Sequence, residues 1–167
     1  EDSKASVLGD FLPAKLEMDE DEVVLYMCLP GDYSGHMLFF FENGKVAKVD
    51  IAAYQTKSNR RRLTGAYSDK SPVVAMFHIQ QDEEFAVISS DTRTLMFNSA
   101  LLAPKATRSV AGVTVMSLKS NRRVVKAVKA DESGIENTSR YRKRKLPSPG
   151  SLLRPEDIGE NQLNMEL

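Results

Sequence analysis

"FFFENGKVAKVD", residues 39–50, decides how the rest of the chain is read. Phe39, Phe40 and Phe41 favour a strand. Asn43-Gly44 is a turn pair whose residues both accept positive φ, which predicts a two-residue hairpin. Lys45, Val46, Lys48, Val49 and Asp50 then resume an imperfect alternation. A lone hairpin is marginal in water, so the chain must supply further strands.

A second copy is weakly written. "AVISSDTRTLMFNSALL" (86–102) lies over "LFFFENGKVAKVDIAAY" (38–54) at an offset of 48, placing Asp91-Thr92 on Asn43-Gly44 and Arg93 on Lys45. "RSVAG" (108–112) lies over "RRLTG" (61–65) at an offset of 47, matching Gly112 to Gly65. "VVAMFHI" (73–79) then matches "VTVMSL" (113–118), and "EEFAVIS" and "RRVVKAV" are expected to close the respective units as fourth strands. A period in the forties with four strands per unit is the mark of propeller-like blades, which bury their faces only by stacking. The expected fold is all-β, with two to three propeller-like four-stranded blades. A partial copy spans 8–30, with "PAKLEM" and "VVLYMCL" as strands, and fuller repeats span 36–83 and 84–130. Blades thus occupy 1–130, and 131–167, with three prolines and poor alternation, reads as an irregular basic tail.

The chain has 167 residues, 41% hydrophobic and 28% charged, an ordinary globular composition. Its 23 basic and 23 acidic residues cancel, but they are segregated: net −6 over 1–22, +5 over 45–62 and +7 over 119–145. Such blocks suit a polyanion on one face, or are solvated loop tips. Cys28 is the only cysteine, so no internal disulfide forms, and a single thiol fits a reducing cytosol. No apolar run approaches a membrane span. The acidic start "EDSKASVLGDF" lacks Met and any signal-peptide pattern, and reads as the beginning of a fragment.

Catalytic chemistry is sparse. His36 and His78 have no cysteine or carboxylate at metal spacing, and His78, on a strand, reads as a packed or edge histidine. "DEDE" (19–22) is better explained by solvation than by Mg²⁺. No phosphate-binding glycine motif is present. Cys28 within an apolar strand reads as a buried structural thiol. No catalytic residue, metal or cofactor is expected, and the chain by itself is read as not an enzyme. The cations are what remain. Lys57, Arg60, Arg61 and Arg62 share one loop, and Lys105 and Arg108 share its repeat equivalent. Lys45, Arg93, Lys119, Arg122 and Arg123 form a second rank. Stacked blades would align equivalent loops into a basic edge for duplex phosphates, a sequence-neutral and salt-dependent mode. With no aromatics interleaved in those loops, single-strand stacking is less favoured.

These residues resemble a known family. "FFFENGKVAKVDIAAYQTKSNRRRLTGAYSDKSPVVAMF" and "LLAPKATRSVAGVTVM", with the tail "SRYRKRKLPSPGSLL", look like the C-terminal domain of DNA gyrase and topoisomerase IV A subunits, nearest the clostridial-type versions. The resemblance covers roughly 8–130. It implies a β-pinwheel whose basic rim binds and bends duplex DNA, in an ATP-dependent type IIA topoisomerase of the bacterial cytoplasm. The remaining A subunit and an ATPase subunit would be its partners. Two departures stand out. The Gln-Arg-Arg-Gly-Gly-Lys-Gly box typical of gyrase is absent, and "TKSNRRRLTG" shares with it only paired arginines and a glycine, which favours a topoisomerase IV-like role. Full pinwheels have five or six blades, more than this chain encodes. The family's catalytic tyrosine lies outside the resemblance, so no tyrosine here takes that role. The alternative reading is a propeller-like protein-interaction scaffold, using the acidic N-terminal block and "MLFFF" to dock a partner.

Overall fold

The computed structural model describes residue 9, residues 11–58 and residues 62–159. Its framework is two four-stranded antiparallel sheets. After a one-turn helix α1 (Leu12–Lys15), β1 (His36–Phe41) and β2 (Lys45–Asp50) form the expected hairpin, followed by β3 (Val73–Ile79). The hairpin unit recurs as β4 (Glu84–Ser89) and β5 (Arg93–Asn98), followed by β6 (Val113–Thr114), β7 (Val124–Lys129) and β8 (Ser151–Leu152). The first sheet has the order β3-β1-β2-β6 and the second β7-β4-β5-β8.

The offset of 48 holds in register as well as in sequence. Val46 pairs with Val113 in the first sheet, and Thr94 pairs with Ser151 in the second. A bulge falls between Phe40 and Phe41, and again between Ile88 and Ser89. The turns match too, but they are three-residue loops rather than the expected two-residue ones. Gly44 N–H donates to Phe41 O at 3.1 Å and Thr92 N–H to Ser89 O at 2.9 Å. Only the last residue of each loop, Gly44 (φ 81°) or Thr92 (φ 60°), is left-handed. This is the type I turn with a terminal left-handed residue, the other common hairpin solution.

The structure corrects the reading of the third and fourth strands. The counterpart of β3 is β7, not "VTVMSL". Val113 and Thr114 instead return to the preceding sheet as its outer strand, while Val115 and Met116 are buried between the sheets. Their apolarity comes from that wedge position, which a linear comparison mistakes for strand alternation. "EEFAVIS" is likewise the first strand of the second sheet, not the fourth of the first. Residues 131–159 have little regular structure, yet they supply β8 and bury Tyr141 and Ile135, with half-buried Leu153 beside them, against the far face of the second sheet. Each sheet is thus completed by a strand from further along the chain.

Residues 11–30 also depart from expectation. Pro13 sits in the first turn of α1, where its missing N–H costs nothing, and 23–29 run without a strand ladder among the described residues. Val23, Leu25, Met27 and Leu29 are exposed. Tyr26 Oη accepts from the backbone N–H of His78 on β3 at 2.9 Å. Cys28 is half-buried rather than enclosed. "MLFFF", expected as a docking patch, is buried throughout, because β1 is the central strand covered on both faces.

The main core lies between the sheets. Leu38, Phe40 and Val46 of the first sheet meet Phe85, Val87, Leu95 and Phe97 of the second. Phe40 stands edge-on to Phe77 at 5.6 Å and within 5.3 Å of Phe85, the ring geometry aromatics favour. Each fully buried side chain of this size contributes roughly 1.5–3 kcal/mol. The opposite face of the first sheet is covered partly by Cys28, Tyr33, Tyr54 and Tyr67, leaving an apolar cavity of about 310 Å³. Among the described residues no helix is long and apolar enough to cross a membrane.

Candidate nucleic-acid interface

The expected cations divide between opposite ends of the strands. Lys45 and Arg93 follow the hairpin turns. Beside them lies the turn carrying Lys119, Arg122 and Arg123: Val124 N–H donates to Glu42 O at 2.8 Å, and Ser90 N–H donates to Arg123 O at 2.8 Å. Lys57, Arg62, Lys105 and Arg108 belong to the other end, about 17 Å away along a six-residue strand. There Asp50 N–H donates to Lys105 O at 2.9 Å, and Arg108 Nη1 donates to Ala53 O at 3.3 Å. Arg60 and Arg61 lie outside the described residues.

At this second end the two repeat-equivalent loops meet. Thr64 and Gly65 from one and Thr107, Arg108 and Ser109 from the other line an open polar cup of about 510 Å³, floored by Ala53. The local sequence explains the arrangement. The short 3-10 turn Ile51–Tyr54 ends β2, and Tyr54 Oη–H donates to Ala66 O at 2.6 Å, tying the first loop down. Burial pushes the Tyr54 phenol up to about 12, against the pull of Arg108. Hydroxyls, backbone and a guanidinium around one concavity are donors suited to a phosphodiester oxygen. The sequence reading found the cations but not Thr64, Thr107 and Ser109. Their only signal was a hydroxyl residue next to a cation or glycine in each loop.

The cations are not equally available. Lys57, Lys105 and Lys119 are exposed, and none has an ion pair among the described residues. Arg62 is engaged by Asp19 at 3.1 Å and Glu22 at 3.2 Å, and the Asp19 hydrogen bond, with both carboxylates' charge, raises its pKa further. Arg93 is half-buried and donates to Gly150 O at 3.2 Å. The tail's charge is also partly spent on structure. Arg142 makes a two-point contact with Glu84 at 2.5 and 2.8 Å, and Arg140 reaches buried Asp157 at 3.0 Å. Lys48, buried to 5% exposure, is bound to Asp82 at 2.7 Å. The two histidines are structural in setting: His78 Nε2 lies 3.1 Å from Ser34 O, and His36 lies 3.2 Å from Asp50. Among the described residues no group of three or more His, Cys, Asp or Glu side chains is placed to hold a metal ion.

No family model matches the chain, and no curated protein matches it. Solved structures do share its fold. The C-terminal domain of DNA topoisomerase IV superposes with a TM-score of 0.71 at 21% identity, covering 86% of this chain and 49% of that one. The C-terminal domain of DNA gyrase A superposes with a TM-score of 0.55 at 20% identity, covering 76% and 47%. The chain therefore spans about half the length of these structures. The fold is the β-pinwheel that the residue resemblance implied, built from the four-stranded units that the repeat led us to expect.

Proposed function

We propose that this chain is a duplex-DNA-binding and DNA-bending module of a type IIA topoisomerase A subunit, itself free of catalytic residues and cofactors. The observation that carries the reading is the polar cup at which two repeat-equivalent loops converge, with Arg108 inside it and Lys57, Arg62 and Lys105 on the same loops. Its mechanism is electrostatic. Each phosphate neutralised releases condensed counterions, and contacts spread over successive blades offset a bending cost on the order of 1–6 kcal/mol. The module would choose which DNA segment reaches a breakage-reunion core carried elsewhere, working with the rest of the A subunit and an ATPase subunit in the bacterial cytoplasm.

The test is fluorescence anisotropy on a 40-base-pair duplex over a salt series, with the wild-type chain and a Lys57→Glu/Lys105→Glu variant. The reading expects log affinity to fall linearly with log salt, independent of sequence, and the variant to bind more weakly with a shallower slope. Absence of duplex binding at roughly 50 mM salt overturns it. A second reading, a protein-interaction scaffold, draws on the exposed apolar run Val23, Leu25, Met27 and Leu29. Recovery of a stable protein partner, lost on Leu25→Asp, together with no duplex binding, would favour it.

A further inference from the structure

Arg62 is held at both terminal nitrogens by one short acidic segment. Its Nη1 donates to Asp19 Oδ2 at 3.1 Å, and its Nη2 donates to Glu22 Oε2 at 3.2 Å and to Glu17 O at 2.9 Å. The segment is itself ordered around that contact. Asp19 N–H donates to Glu22 Oε2 at 2.8 Å, and Glu22 N–H donates to Asp19 O at 3.0 Å, closing a turn that points both carboxylates at one guanidinium. Arg62 stands two residues before Thr64, which lines the polar cup. The other loop at the cup differs: Lys105 has no acidic partner among the described residues, and Arg108 donates only to a backbone carbonyl.

A guanidinium offers carboxylates the same planar fork of donors that it offers phosphate oxygens. We propose that residues 17–22 act as a built-in competitor for the phosphate backbone: Asp19 and Glu22 hold Arg62 in place of a phosphate, so that duplex engages the Lys105–Arg108 loop first and must displace the acidic turn to engage the 62–65 loop. This inference rests on the duplex-binding reading above. Tethering gives the carboxylates an effective concentration in the millimolar range. All three side chains are half or more exposed to solvent, or nearly so. Their pairing is therefore weak enough to be displaced by a duplex, and it weakens further with salt.

The experiment compares the wild-type chain with two paired charge variants on the same duplex at low and moderate salt, with and without Arg62. Asp19→Asn/Glu22→Gln removes the carboxylates that hold Arg62. Glu20→Gln/Asp21→Asn removes the same charge from neighbours that make no contact with it. Arg62→Ala is placed in both backgrounds. The expected result is a roughly three- to tenfold tighter affinity for Asp19→Asn/Glu22→Gln, a smaller gain for Glu20→Gln/Asp21→Asn, and loss of the difference between them once Arg62 is alanine. Equal gains from the two pairs, a gain that persists without Arg62, or no gain while the wild type binds would each overturn the competitor while leaving duplex binding intact. No binding by any form at low salt would overturn both.

Discussion

Gly112 packs so closely on Val46 that a Cβ added to it would lie 2.5 Å from the Val46 carbonyl oxygen. Gly150 stands in the same relation to Thr94, 48 residues after Val46, with a Cβ-to-oxygen distance of 2.7 Å. Both glycines are left-handed, and each immediately precedes the short strand that completes a neighbouring sheet. Gly65, the sequence equivalent in the first repeat, is also left-handed, but a Cβ there meets nothing within 4 Å.

Gly112→Ala is therefore expected to cost roughly 2–4 kcal/mol, from a left-handed alanine and a forced backbone shift. Gly65→Ala carries only the first of these, about 1 kcal/mol. Urea unfolding of both variants checks this. Equal losses would mean that the close approach to Val46 contributes nothing.

Thr92 occupies the left-handed position that Gly44 fills in the first hairpin, with φ of 60° against 81°. A β-branched residue is strained there. Thr92→Gly is expected to stabilise the chain by about 0.5–1 kcal/mol, the relief exceeding the entropy glycine adds to the unfolded state. A thermal melt reads the sign directly.

The hairpins and their repeat were legible because pairing within each is local and apolar strands flank a turn-prone pair at a fixed offset of 48. The exchange of outer strands was not. Val113-Thr114 and Ser151-Leu152 are two-residue strands, too short for alternation to register, and their partners lie 57 to 69 residues away in sequence. What marked them was a glycine, whose reason is visible only when the facing carbonyl is in place. At the candidate interface the sequence supplied charges but not their occupancy. Arg93, read as an available cation, is held by Gly150, and Arg140 and Arg142 of the basic tail are held by Asp157 and Glu84.

The tail is fastened by Asp157, a fully buried carboxylate that accepts from Tyr141 Oη–H, from Asn137 Nδ2 at 2.6 Å and from Arg140 Nη1 at 3.0 Å. The Tyr141 and Asn137 hydrogen bonds hold its pKa below the usual carboxylate value. A depressed folded-state pKa gives stability that is present above the unfolded value and lost as pH falls through the folded one. The tail should thus stay docked at neutral pH and loosen below about pH 4. Tyr141→Phe removes the leading cause of the shift and moves that loosening to higher pH. Limited proteolysis within 131–159 across a pH series, with an acid-active protease, follows it. Unchanged cleavage between wild type and variant would mean that the carboxylate does not fasten the tail.

Lys105 and Arg93 make opposite predictions, although both read as rim cations. Lys105 is exposed, its backbone already bonded to Lys48 and Asp50, and its ammonium makes no ion pair among the described residues. Lys105→Ala should leave the melting temperature unchanged, lower duplex affinity roughly three- to tenfold and reduce the salt slope by about 0.9, the effect of one phosphate contact. Arg93 is half-buried, and its guanidinium bonds the carbonyl of Gly150, just ahead of β8. Arg93→Ala should lower unfolding stability by about 1 kcal/mol through that lost hydrogen bond while leaving the salt slope nearly unchanged. Anisotropy and urea unfolding on the same two variants separate the roles. A shallower salt slope for Arg93→Ala with an unchanged slope for Lys105→Ala would place the phosphate contacts at the hairpin-turn end of the strands instead of at the cup.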